Sequence, residues 1–174
     1  MDDQQAMNEA LEQARKGVGR TSPNPPVGAV VVAGGKIVGR GWHRRAGAPH
    51  AEREALADAR ERCGSDALRG SSVFVTLEPC SSHGRTPPCT EALVEAGCGR
   101  VVYGTDDPNP NHAGRAGDLL RQHGIEVCSG VLGRECRELI RGFARVQQNG
   151  RPWVIAKLAM TLDGRVTLVS SLHL

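Results

Sequence analysis

The strongest constraint on this chain is a run of short β-branched segments alternating with amphipathic ones, each closed by glycine or proline. Val27–Ala33 is a β-branched run, with four valines in seven residues, and Gly34-Gly35 turns it into Ile37–Trp42. That is the pattern of a hairpin with a two-residue turn. Upstream, Asp2 to Lys16 carries Met7, Ala10, Leu11 and Ala14 at helical spacing, and Gly17 closes it. Between them Arg20–Pro26 holds three prolines and reads as a rigid loop.

Downstream, Pro49 opens a helix through His50, Leu56 and Ala59 to Gly64, and Ser72–Leu77 is a strand. Thr90–Ala96 is helical and stops at Gly97. Val101–Gly104 is a strand entering the loop Asp106–Pro110, Ala116–Gln122 a helix, Ile125–Cys128 a strand and Arg134–Gln148 one longer helix. Helix, hairpin, then alternating strands and helices predict an α/β fold, a layered sheet with helices on its faces. The 174 residues suit one domain, taken as 1–150. Asn149-Gly150 is read as a linker and Pro152–Leu158 as a further strand.

Composition excludes little but is consistent. No apolar run approaches the ~20 residues of a membrane span, and Met1–Ala10 is too acidic and polar for a secretory leader. A cytoplasmic protein with no membrane partner is expected. Six cysteines without a leader point to metal binding or burial rather than disulfides. A net charge of +3 and only five aromatic residues give no ground for a nucleic-acid partner. A small anionic ligand fits that charge.

The chemistry concentrates in three proline-led pairs. His50-Ala51-Glu52 follows Pro49, Cys80 follows Pro79, and Cys89 follows Pro88. Each proline is expected to place its neighbour at a helix start, where partial positive charge and free N–H groups favour a thiolate. One imidazole and two thiolates are a three-ligand zinc set that leaves a fourth position for water. Zinc lowers the pKa of bound water towards ~7, and a nearby carboxylate that is not a ligand can carry its proton. His-x-Glu followed by Pro-Cys-x-x-Cys is the signature of zinc deaminases, and this chain keeps all but the final spacing. Here eight residues, Ser81–Pro88, separate the cysteines where two are usual. That polar insertion would place His83, Arg85 and Thr86 at the pocket rim.

The chain resembles the diaminohydroxyphosphoribosylaminopyrimidine deaminases of riboflavin biosynthesis over roughly residues 7–165. The resemblance is carried by Thr-Ser-Pro-Asn-Pro-Pro-Val-Gly (21–28), Gly-Trp-His (41–43) and Pro-His-Ala-Glu (49–52). It continues in Thr-Leu-Glu-Pro-Cys-Ser-Ser-His-Gly-Arg-Thr-Pro-Pro-Cys-Thr (76–90) and Asp-Pro-Asn-Pro (107–110). It implies a three-layer α/β/α cytidine-deaminase-like fold with a mixed central sheet. It also implies zinc on His50, Cys80 and Cys89, with Glu52 as the proton shuttle. The implied reaction is hydrolytic loss of the amino group from a phosphoribosylated diaminopyrimidinone, releasing ammonia. Arg53-Glu54 and His112 depart from the usual family pattern.

Substrate contacts follow from the residues and the resemblance together. Asn24, pinned between prolines, can donate and accept at a pyrimidine edge. His43 ends the hairpin near the substrate in similar proteins. Arg85 and Thr86 suit a ribose phosphate, and Asp107 and Asn109 a pocket wall. Cys63, Cys98, Cys128 and Cys136 are read as packing residues.

Relatives often carry a reductase domain, and 151–165 resembles its first strand. We therefore expect no reductase activity here, and a separate reductase as a candidate partner. The apolar stretch 152–160 should pack on the domain or on a second copy, giving a homo-oligomer. A deaminase of another soluble pyrimidine or nucleoside, or an inactive truncated remnant, stays open at this point.

Overall fold

Five short strands form one sheet because their residues alternate faces, and each face finds its own set of helices. In the computed structural model, which describes residues 1–82, 87–109 and 113–166, the strands are β1 (Gly28–Ala33), β2 (Lys36–Trp42), β3 (Ser72–Val75), β4 (Arg100–Tyr103) and β5 (Glu126–Ser129). The helices are α1 (Asp3–Arg15), α2 (Ala51–Cys63), α3 (Cys89–Glu95), α4 (Arg115–Gln122), α5 (Gly133–Leu139) and α6 (Arg141–Asn149). The sheet order is β2-β1-β3-β4-β5. β1 runs antiparallel to both β2 and β3, while β3, β4 and β5 are mutually parallel. The mixed sheet agrees with the expectation from sequence.

The period-two pattern sorts the core. Val30, Phe74 and Val102 point to one face and pack with Ala6, Met7, Ala10 and Leu11 of α1 and Cys136 of α5. Ala29, Val31, Val73, Val75 and Val101 point to the other, against Ala51, Ala55, Leu56 and Ala59 of α2 and Leu93 of α3. The result is a three-layer α/β/α arrangement.

Local chemistry explains the element ends. Asp2 caps α1 in a reciprocal box with Gln5. Gly34 and Gly35 take φ of 57° and 73°, the conformation a two-residue hairpin turn demands. Gly41 of β2 lies so close to α2 that a Cβ there would stand 2.2 Å from the Ala55 nitrogen and 2.3 Å from the Ala51 oxygen. That close approach lets α2 lie directly on the hairpin.

Three expectations are corrected. The single helix over 134–148 is two, α5 and α6, broken at Ile140 with φ −101° and ψ 10°. Pro152–Leu158 is not a strand: it has no ladder partner among the described residues, and Val154, Ile155 and Leu158 are exposed. Where that stretch meets the domain, Trp153 and Ile155 border a groove with Leu11 and Leu139, and the Trp153 ring lies 5.0 Å beneath the Arg141 guanidinium. Cys80, finally, sits in a loop and heads no helix. No helix among the described residues is long and apolar enough to cross a membrane.

Candidate active site and metal centre

The site forms where the N-termini of α2 and α3 meet the loop after β3. His50 is the N-cap residue of α2 in an extended conformation, so its ring projects off the helix end, while Glu52 lies in the first turn. Cys89 is the first residue of α3. Its backbone N–H donates not to itself but to the Sγ of Cys80, at 3.2 Å. The helix start thus serves the loop cysteine, which corrects the sequence expectation and still meets its purpose: a free N–H and a positive helix end favour a thiolate at Cys80.

His50 Nδ1 lies 3.5 Å from Cys80 Sγ and 3.4 Å from Cys89 Sγ, and all three donor atoms lie within 4.8 Å of one another. With Zn–S about 2.3 Å and Zn–N about 2.05 Å, the N–S edge of a tetrahedral site is about 3.6 Å. The donor set and its spacing fit zinc. Three protein donors leave the fourth position open, as catalytic rather than structural zinc sites do.

The protonation states follow from the same contacts. The Cys80 thiol is brought down to about 4, chiefly by the hydrogen bond from Cys89 and also by His50. Cys89 is pushed well above the usual thiol range because it donates to Cys80 and is buried. His50 is raised by its hydrogen bond to Cys80. Glu52, 3% exposed, is raised by burial first and then by the Cys80 charge. A buried carboxyl raised in this way is suited to taking and returning a proton.

His43 is fully enclosed and held at both ring nitrogens. Nδ1 lies 3.0 Å from the Pro49 carbonyl and Nε2 lies 3.0 Å from Nδ2 of Asn24. A carbonyl only accepts and an amide nitrogen only donates, so Nδ1 carries the proton and Nε2 is bare. Burial lowers the His43 pKa, which agrees with the neutral ring. That ring meets His50 edge-on at 5.4 Å between centroids.

A cavity of about 160 Å³ opens beside these groups. His43, His50, Glu52 and Cys80 line it together with Asn24 and Asp107. Pro25, Val27, Leu77 and Phe143 supply its apolar walls. Asn109 is not among the lining; its backbone N–H donates to Oδ1 of Asp107 at 2.9 Å, an Asx turn supporting that wall. His83, Arg85 and Thr86 lie outside the described residues, as does His112.

Sequence reasoning missed three residues. Glu78 lines the cavity and binds the backbone of the 107–116 segment; it stood in the quoted Thr-Leu-Glu-Pro-Cys motif, where a buried carboxylate before a ligand was the available signal. Phe143 arrives from α6, far along the chain, with no local signal. Arg53 was noted only as a departure, yet its Nη2 donates to the carbonyls of Pro87 and Pro88 at 3.1 Å each. It ties α2 to the residues that precede Cys89.

Comparison with known proteins agrees with this geometry. Residues 1–105 match the family described as the cytidine and deoxycytidylate deaminase zinc-binding region. The riboflavin biosynthesis protein RibD of Escherichia coli K12 is 47% identical over 170 residues, covering 98% of this chain and 45% of that protein. RibD of Acinetobacter baumannii superposes with a TM-score of 0.87 at 43% identity, over 97% of this chain and 46% of that one. A diaminohydroxyphosphoribosylaminopyrimidine deaminase/reductase from Thermotoga maritima gives 0.87 at 49% identity, over 92% and 45%. The chain thus spans less than half the length of these relatives. Its fold is cytidine-deaminase-like, and the chain belongs to the cytidine and deoxycytidylate deaminase zinc-binding family.

Proposed function

We propose that this chain catalyses the zinc-dependent hydrolytic deamination of a phosphoribosylated diaminopyrimidinone in riboflavin biosynthesis. The observation that carries the proposal is the convergence of His50, Cys80 and Cys89 at zinc-ligand spacing beside buried Glu52, all opening on one small cavity. The relatives at 43–49% identity that are named for riboflavin biosynthesis or for this deaminase step support the choice of substrate.

His50 Nδ1 and the two thiolates would hold the metal. Bound zinc supplies a coordinated water acidified to near-neutral pKa as the nucleophile. Glu52 would carry one proton from the water to the ring nitrogen and a second, from the hydroxyl left on the ring carbon, to the departing amine as the C–N bond breaks and the carbonyl forms. Asn24 gives one N–H to His43, leaving its carbonyl oxygen and second N–H for the pyrimidine edge. His43 stays neutral and keeps Asn24 oriented. Pro25, Val27, Leu77 and Phe143 sandwich the heterocycle and exclude water. The cavity is smaller than the ~300 Å³ at which sites for drug-sized ligands begin. It takes the ring and leaves the ribose phosphate outside, for which Arg85 and Thr86 are the proposed partners; Asp107 forms the near wall, braced by Asn109.

Six free cysteines suit a reducing compartment, so we place the reaction in the cytoplasm. We assign the deaminase unit to residues 1–150. Zinc-loaded protein should release ammonia from the phosphoribosylated diaminopyrimidinone and not from cytidine or deoxycytidylate. Release from those two alone would overturn the substrate.

A further inference from the structure

Beyond the metal centre, the side chain with the most unusual set of partners is Glu78. It is 4% exposed and stands two residues before Cys80 on the segment leaving β3. Its Oε2 accepts the backbone N–H of Asp107 at 3.1 Å and of Gly114 at 3.0 Å, and its Oε1 accepts that of Ala116 at 3.1 Å. Its own N–H donates to the Thr105 carbonyl at 2.8 Å. One carboxylate therefore takes three N–H groups from a single segment, two of them at the start of α4, where a helix presents unsatisfied donors and positive partial charge. α4 has no side-chain cap of its own. Glu78 is that cap, supplied from across the fold.

The consequence reaches the cavity. Asp107 lines it, and Glu78 fixes the Asp107 backbone while Asp107 Oδ1 in turn fixes Asn109. This wall lies beyond residue 105, where the match to the general deaminase family ends. The metal centre lies within the matched residues, and the Asp107 wall lies beyond them. Glu78 stands two residues before a ligand of the first and is the hydrogen-bonded anchor of the second.

We propose that Glu78 is a positioning residue that sets the substrate-facing wall at Asp107 relative to the metal centre, and so governs substrate affinity rather than the chemical step. The kinetic part rests on the deaminase function proposed above; the structural part does not.

The test compares wild-type protein with Glu78→Gln and Glu78→Asp, zinc-loaded. A glutamine keeps one acceptor oxygen and turns an NH₂ group towards a backbone N–H. Loss of a hydrogen bond to a carboxylate predicts a KM raised about tenfold or more. The turnover number should stay within about threefold, and bound zinc should be unchanged. Amide exchange should accelerate at Asp107, Gly114 and Ala116 and not at the amides of β3. Glu78→Asp, which keeps the carboxylate one methylene short, should fall between; should the glutamine variant not fold, it carries the same test. Faster exchange with unchanged KM, or a fall in turnover and zinc content at constant KM, overturns the proposal. If wild-type protein releases no ammonia, the proposed substrate falls, and the anchor is judged on exchange alone: unchanged protection of those three amides overturns it.

Discussion

Nδ2 of Asn24 lies 3.0 Å from Nε2 of His43, so the proline-rich loop and the hairpin end are joined by one hydrogen bond at the cavity. Because Nδ1 of the same ring is engaged by Pro49, the imidazole transmits the position of the α2 entry to the Asn24 amide. Asn24→Ala removes both the joint and a substrate contact. We expect KM to rise about 10- to 100-fold, the range for losing one or two hydrogen bonds in a buried site. Bound zinc should stay at wild-type level, because neither residue is a ligand. Steady-state kinetics with metal analysis checks both.

Zinc affinity should depend steeply on pH. Cys89 is held well above the usual thiol range, so it carries a proton at neutral pH that ligation must displace, and the raised His50 adds to that competition as pH falls. Binding therefore releases protons and tightens as pH rises. Titration calorimetry in buffers of different ionisation enthalpy should report at least one proton released near pH 7. An affinity that is flat between about pH 6 and about pH 7.5 would contradict this assignment of states.

The hairpin tolerates no side chain where it meets α2. Gly41→Ala would drive a methyl to within 2.3 Å of two backbone atoms of that helix. Overpacking of this kind costs about 3 kcal/mol. The displaced helix carries His50 and Glu52 at its N-terminus, so chemical denaturation and zinc content should fall together.

Arg100 holds Asp3 through two hydrogen bonds, at 2.7 and 2.8 Å, and also reaches Glu126 at 3.0 Å. The Asp3 pKa is lowered chiefly by the hydrogen bond from Arg100. A carboxylate depressed on folding stabilises the protein above its unfolded pKa, and the contribution is lost as pH falls through the lower folded value. With Asp3 37% exposed on its side chain, solvent screening limits the pair to about 0.5–1 kcal/mol. Asp3→Asn should therefore be less stable than wild type at neutral pH, with the difference shrinking as pH falls below the ordinary Asp value of 3.8. Urea midpoints across that range measure it.

Much of this architecture could be read from residues alone, wherever a local rule decides the outcome. Gly34-Gly35 dictated the hairpin because both positions need positive φ, and Pro49 dictated the start of α2. The metal set was legible because His50, Cys80 and Cys89 are chemically distinctive. What escaped depends on distant partners. Pro152–Leu158 has a strand's composition, but a strand exists only if an edge receives it. The break at Ile140 is one residue's dihedral change, with no glycine or proline to mark it. Pro79 reads as a helix start at Cys80, yet the N–H serving Cys80 comes from Cys89, nine residues on. Glu78 acts on backbone N–H groups, which every non-proline residue has, so its partners leave no trace in the sequence.

The central claim is tested most directly by following the phosphoribosylated diaminopyrimidinone in oxygen-18 water with zinc-loaded wild-type protein and with Glu52→Gln. The account predicts ammonia and product in equal amounts, one labelled oxygen per product, and turnover reduced about 10²- to 10⁴-fold in the variant with zinc still bound. No ammonia from wild-type protein carrying one zinc per chain, or wild-type turnover by Glu52→Gln, would contradict it.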